Sequence, residues 1–311
     1  MHPVKRFQRR ITARLAQLFE NGALWQETTG ARPVGPRTLR RRFSDPMRTV
    51  VGLPLFNRRL GRYYTGRNDP VTLERLAQRP GWQVDCASIA PGIGLSGAVA
   101  VPRDQTAPWL LYFLGNWGDQ LLKSQLLLEE LRGSNDWGLA MWAPRGYETS
   151  GGTPHVQDFC ADARLLYQRL VEVFGAHEGR IHLVGFSLGA LLAASLAGEL
   201  ERQGRPVASL SLLSFHPAGF AMRTTSSRWY APWILPDWFH PMVAAQWMPR
   251  RTLLMHAADD ATDPVEDARR FAVSLGARGR YIEVPRGGHQ STIAPASLGQ
   301  VREFIGTTES T

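Results

Sequence analysis

The chain has 311 residues, 43% of them hydrophobic, which is enough for one large core with appendages. Two cysteines, Cys86 and Cys160, exclude a disulfide framework and a multi-cysteine zinc module. The net charge of +9 belongs to the front: residues 1–80 hold 17 of the 36 Lys+Arg and 5 of the 27 Asp+Glu, a net of +12. The remainder is an ordinary, slightly acidic globular sequence.

Val4, Phe7, Ile11, Leu15, Leu18 and Phe19 follow the 3-and-4 spacing of one helix face. Lys5, Arg6, Arg9, Arg10 and Arg14 occupy the other side. A basic amphipathic helix over about 4–19 suits peripheral contact of residues 1–20 with an anionic membrane; packing on the main domain is the alternative. Nucleic acid ranks below the membrane as a partner, since no reading motif accompanies the charge. Residues 21–68 mix Gly, Pro and Arg without periodicity and read as a connector, so 1–80 forms an N-terminal basic extension. Asp69-Pro70 then opens a short helix through about Gln78.

From Trp82 the character changes. Trp82–Ala90 and Leu95–Val101 flank a Pro-Gly turn and predict a β-hairpin. Strands then alternate with helices: Trp109–Leu114, helix 119–131, Trp137–Ala143, helix His155–Phe174, Arg180–Phe186, helix Leu188–Arg202, Val207–Phe215. After an insert over 216–249 come Thr252–Ala257, helix Val265–Leu275, strand Arg280–Val284 and helix Pro295–Ile305. That order predicts an α/β domain over 81–305 with a mostly parallel central sheet, and a tail over 306–311. Cys86 and Cys160 fall in a predicted strand and helix and read as small buried hydrophobes. No run is long enough to span a bilayer and no signal peptide is expected, so the reading is cytoplasmic, peripheral at most.

Gly185-Phe186-Ser187-Leu188-Gly189 matches G-x-S-x-G between an apolar β run and a helix-forming run. A pattern this short gains weight only from that strand-to-helix context. Serine is a weak nucleophile and needs a base held by an acid, expected in the order Ser…Asp…His. Asp259, Asp260 and Asp263 follow the strand Thr252–Ala257, and His289 lies on a Gly-Gly loop after the last strand. The positions are filled in the expected order.

On these residues the chain resembles the α/β-hydrolase family over about 82–305, among its single-domain serine hydrolases with a short lid. Leu111–Trp117 resembles the family's oxyanion loop, and Ala143–Tyr147 with Ser150-Gly151-Gly152 its Arg-Gly-Tyr turn. His256-Ala257-Ala258-Asp259-Asp260 resembles its acid loop, which implies Asp260 as the acid of a Ser187–Asp260–His289 triad. Leu114, Glu148 and Ala257 depart from the family's histidine, glycine and glycine. The resemblance implies the backbone N–H groups of Asn116 and Leu188 as oxyanion donors, with Trp117 the fallback.

The insert falls where such hydrolases carry a lid, and it is dense in aromatics. Trp229, Trp233 and Trp238, with Trp117, are the candidate substrate-binding residues for an acyl chain; packing onto the domain is their alternative use. The expectation is a serine hydrolase of a small-molecule ester, thioester or lipid-like substrate, with no metal and no cofactor implied. Amidase, peptidase or acyltransferase chemistry on the same triad, and a non-catalytic module docking on an acidic partner, are the alternatives.

The front segment yields a direct test. Each Lys or Arg near an anionic bilayer contributes about 1 kcal/mol, weakened by salt. Full-length protein is expected to co-sediment with anionic vesicles more than with neutral ones, and the triple change of Arg6, Arg9 and Arg10 to Gln to weaken that binding. Protein left in the supernatant at low salt would make the segment a packed extension.

Overall fold

The computed structural model describes residues 70–116, 120–154, 156–215 and 245–307. The amphipathic helix, the connector, Trp117, most of the 216–249 insert and the last residues of the tail lie outside the described residues. Helix α1 (Pro70–Ala77) precedes an antiparallel hairpin of β1 (Gln83–Ala90) and β2 (Ile93–Ala100). Then follow β3 (Trp109–Phe113), α2 (Gln120–Arg132), β4 (Gly138–Trp142), α3 (Val156–Glu172), β5 (Ile181–Phe186) and α4 (Leu188–Arg202). The second half contributes β6 (Ser209–Leu213), β7 (Thr252–Ala257), α5 (Val265–Leu275), β8 (Gly279–Val284) and α6 (Pro295–Gly306).

One eight-stranded sheet orders these strands β1-β2-β4-β3-β5-β6-β7-β8. Pairing is antiparallel as far as β4 and parallel from there to β8. The sequence explains the difference. Strands β3 to β7 are buried throughout, as their near-continuous apolar runs require when helices cover both faces. The edge strand β1 is exposed at half of its positions and buried only at Ala87. Its Cys86 is therefore exposed, contrary to the sequence expectation, because an edge strand leaves one flank and much of a face to solvent. Cys160 on α3 is only partly buried as a residue, although burial pushes its thiol up to about 12.

Helix packing follows the apolar spacing. In α5, Val265, Ala268, Phe271 and Leu275 form one buried stripe, and Phe271 meets Phe215 edge-on at 5.1 Å between ring centroids. Two polar anchors lock the hairpin to the rest. Asp85 on β1 accepts from Trp142 Nε1 at 2.8 Å and from Arg169 Nε at 2.8 Å, joining β1 to β4 and α3. Glu129 on α2 accepts from Trp82 Nε1 at 2.9 Å and pairs with Arg79, holding the start of the domain.

His182, buried in β5, shares a 2.7 Å hydrogen bond between its Nδ1 and Ser209 Oγ on the neighbouring β6. Burial, reinforced by the Arg251 charge, pushes its pKa down to about 3. The folded state therefore holds this imidazole neutral while the unfolded chain protonates near the ordinary value. Its contribution is complete above pH 6.5 and declines on acidification toward pH 3, by about 1.4 kcal/mol for each unit of pH. Urea unfolding at pH 7 and pH 5 checks this: wild type is expected to lose about 2 kcal/mol more than His182→Gln. Parallel losses would show that His182 does not titrate in this way.

Candidate active site

The site is assembled at the carboxyl ends of β3, β5, β7 and β8, where open α/β sheets form their crevices. Ser187 sits between β5 and α4 with φ 54 and ψ −115, a conformation rare for any residue but glycine. Backbone contacts hold it there: Ser187 N–H donates to Leu213 O of β6 at 2.9 Å. The flanking glycines are steric requirements. A Cβ on Gly185 would lie 2.4 Å from Gly189 O, and one on Gly189 only 1.9 Å from Phe113 O. Without side chains at these positions, α4 can start directly against the end of β3.

Three sequence-predicted side chains converge. His289 Nε2 lies 2.9 Å from Ser187 Oγ, and its Nδ1 lies 2.8 Å from Asp260 Oδ2. An ionised carboxylate can only accept, so Nδ1 carries the proton and Nε2 is left to accept from the serine hydroxyl. Asp260 Oδ1 accepts backbone N–H bonds from Thr262 at 2.7 Å and Asp263 at 2.9 Å. Burial pushes this carboxyl up, but its hydrogen bonds to His289, Asp263 and Thr262 outweigh that and hold its pKa below the usual value. The ring of His289 also packs on Phe186, with centroids 5.2 Å apart.

The neighbouring acids do other things. Asp259 accepts from Gly287 N–H at 3.0 Å and Gly288 N–H at 2.8 Å, tying the histidine loop to the end of β7. Those bonds lower its pKa. Asp263 Oδ2 stands 3.7 Å from His289 Nδ1, while its backbone oxygen accepts from His256 Nε2 at 2.9 Å. Asp263 does not cap α5, whose N-cap is Pro264.

Sequence reasoning missed two supports. Ser214, after β6 at φ 49, donates from Oγ to His289 O at 2.6 Å and shares a 2.8 Å bond with Thr292 Oγ1. His256 is fully buried behind the acid, its Nε2 3.4 Å from Asp260 Oδ2. The family-like His-Ala-Ala-Asp-Asp run signals His256, whereas nothing local marks Ser214. Asn116 lies buried just beyond β3, and Leu188 is the first residue of α4 with its N–H at the helix N-terminus. The candidate tryptophans 117, 229, 233 and 238 fall outside the described residues. Among the described residues no group of His, Cys, Asp and Glu could hold a metal ion.

Solved structures share the fold along most of the chain. An alpha-beta hydrolase of Vibrio vulnificus superposes with TM-score 0.61 at 18% identity, covering 86% of this chain and 94% of that one. Est1E of Butyrivibrio proteoclasticus, solved with bound ferulic acid, gives 0.57 at 14% identity, covering 73% of this chain and 100% of its own. The chain has the α/β-hydrolase fold.

The esterase Pf2001 of Pyrococcus furiosus shares this α/β-hydrolase fold at TM-score 0.57 and 15% identity, over 78% of this chain and 98% of the esterase. A thioesterase-domain family model matches residues 127–234, a stretch that includes the Ser187 turn. Two Mycobacterium tuberculosis proteins named only as uncharacterized are 27% identical over 189 residues, 59% of this chain. The match spans 63% of the length of those relatives. Among the described residues, no helix is long and apolar enough to cross a membrane.

The contact between α4 and β3 makes a clean prediction. Gly189→Ala must push the helix off Phe113 O and is expected to cost about 3 kcal/mol or more. Gly299→Ala, in α6 with nothing within 4 Å of its added Cβ, is expected to stabilise by about 0.5–1 kcal/mol. Thermal melts of the two variants compare them directly. Equal melting temperatures would refute the steric argument.

Proposed function

We propose that the protein is a serine hydrolase that cleaves a carboxylic ester or thioester through an acyl-Ser187 intermediate. The carrying observation is His289 bridging Ser187 Oγ and Asp260 Oδ2 at 2.9 and 2.8 Å. In acylation, Ser187 Oγ attacks the substrate carbonyl as His289 Nε2 takes its proton. Asp260 holds the imidazole in the productive tautomer and stabilises the imidazolium that forms. The negative charge gathers on the carbonyl oxygen, where the N–H groups of Asn116 and Leu188 donate to it. His289 then returns its proton to the departing alcohol or thiol. Water, deprotonated by His289, repeats the sequence to release the acid and restore the serine.

The substrate class follows from two features. A thioesterase model covering the nucleophile turn favours an acyl thioester or ester over an amide. The aromatic composition of the 216–249 segment favours a hydrophobic acyl group, with Trp229, Trp233 and Trp238 against it. The basic front is proposed to bring the enzyme to an anionic membrane surface, which suits a lipid-like substrate. An acceptor other than water in the second step would turn the same residues to acyl transfer.

The test is fluorophosphonate labelling with steady-state ester hydrolysis. Wild type is expected to label and Ser187→Ala to remain unlabelled. Ser187→Ala and His289→Ala are each expected to lower turnover on the order of 10⁴-fold or more, since nucleophile and base act as a unit. Asp260→Asn is expected to lose less than either. Asp259→Asn is expected to be mild, since its carboxylate holds loop backbone. A folded wild type that does not label, or an Asp259→Asn more damaging than Asp260→Asn, would overturn the assignment.

A further inference from the structure

The turn after β4 grips the loop that follows β3 at two places. Tyr147 donates its hydroxyl to Asn116 Oδ1, in a buried hydrogen bond between segments 31 residues apart. The next residue, Glu148, accepts the backbone N–H of Leu121 on Oε1 at 2.9 Å. Asn116 and Leu121 bracket the stretch from the end of β3 to the first turn of α2. Both ends of that stretch are thus tied to two consecutive side chains.

The turn itself is rigid. Gly146 N–H donates to Gly151 O at 2.8 Å, Tyr147 N–H to Pro144 O at 2.9 Å and Ser150 N–H to Tyr147 O at 2.9 Å. Gly151 N–H reaches Gly94 O on β2 at 2.9 Å, and Ser150 Oγ accepts from Ser96 N–H at 2.9 Å while donating to Ala143 O at 2.8 Å. Arg145, paired with the buried Asp162 at 2.6 Å, fixes the other side to α3. Among the described residues, Tyr147 is the side-chain hydrogen-bond partner of Asn116. Its Nδ2 is buried and finds no hydrogen-bond partner among the described residues.

Glu148 adds a second, independent indication. Its φ is 50, a left-handed conformation where a glycine would sit without strain. A β-carbon there is unfavourable, and the side chain reaches a helix N-terminus where a carboxylate is well placed. We propose that Tyr147 and Glu148 are positioning residues that fix the oxyanion loop, acting through Asn116 and Leu121. The role rests on the hydrolase reading, in which the Asn116 N–H must face the developing oxyanion. Loop placement then controls transition-state binding and leaves ground-state binding largely alone.

Kinetics on a p-nitrophenyl ester, affinity for an alkyl boronic acid as a tetrahedral mimic, and melting temperatures test this in the full-length protein. Tyr147→Phe keeps the edge-on packing against Phe159, so it is expected to fold normally. It is expected to lower kcat and boronate affinity about tenfold to a hundredfold, with KM within about twofold. Asn116→Ala should do the same, and the double variant should be no worse than either single one. Glu148→Gly relieves the backbone yet removes the acceptor, so it should lower kcat without lowering the melting temperature. Glu148→Gln retains an oxygen acceptor and should recover near-wild-type kcat. An unaffected Tyr147→Phe, multiplying losses with Asn116→Ala, or a fully active Glu148→Gly in a labelled, active wild type overturns this role alone. Equal kcat losses in Glu148→Gly and Glu148→Gln that follow melting temperature overturn it too. A wild type that neither labels nor hydrolyses overturns the hydrolase reading and this role together.

Discussion

The close approach of α4 to the end of β3 is the contact on which the rest of the site depends. Parallel pairing sets Phe113 beside Gly185, so the two chains leave the sheet side by side. Gly189 then brings the first turn of α4 against Phe113 O and Leu114 O, at a separation no side chain could enter. Two consequences follow from that one fit. The helix N-terminus starts at the carboxyl end of the sheet, and the chain leading to Asn116 leaves β3 against the first turn of α4. A larger residue at 189 would push Ser187 and the start of α4 away from the strand end that leads to Asn116, a proposed oxyanion donor, even with every site side chain intact.

The second half of the chain brings the other partners from β7 and β8, which pair in parallel and end together. Adjacent carboxylates divide the work there. Asp260 is buried and bound to an imidazole, whereas Asp259 is spent on two backbone N–H groups of the histidine loop. Ser214 reaches across from β6 to the His289 carbonyl, so the proposed base is fixed from its own loop, from β7 and from β6. In the proposed mechanism, an imidazole held this way can take the serine proton and return it without having to reorient.

Much of this was legible in the sequence because it is local or ordered along the chain. The Ser187 turn reads from five residues in a strand-to-helix context. Position after successive strands marks His289 and three aspartates, the likeness of the His256–Asp260 run to a family loop singles out Asp260, and these two side chains do meet. Strand ends were less legible: the run 207–215 shortens to Ser209–Leu213 because pairing with β5 and β7, not apolarity, decides where a strand stops. Cys86 was misread for a related reason, since edge position depends on strand order and leaves no mark on a single strand. The Tyr147–Asn116 and Ser214–His289 bonds, 31 and 75 residues apart in sequence, have no local signature at all.

Backbone strain gives an independent view of where function lies. Among the described residues, Glu148, Ser187 and Ser214 are the non-glycine positions with positive φ. Each such conformation costs on the order of 1–3 kcal/mol and persists only where its surroundings over-determine it. The determinants are visible: Ser187 N–H is held by Leu213 O, Ser214 N–H by Met255 O, and Glu148 through its carboxylate on Leu121. Ser187 is the proposed nucleophile, Ser214 anchors His289, its proposed base, and Glu148 belongs to the turn that grips the proposed oxyanion loop. Strain spread at random over a domain of this size would rarely choose three positions that converge on one crevice. Its distribution therefore marks the same ends of β4, β5 and β6 that the hydrogen bonds do, and it does so without reference to any side-chain chemistry.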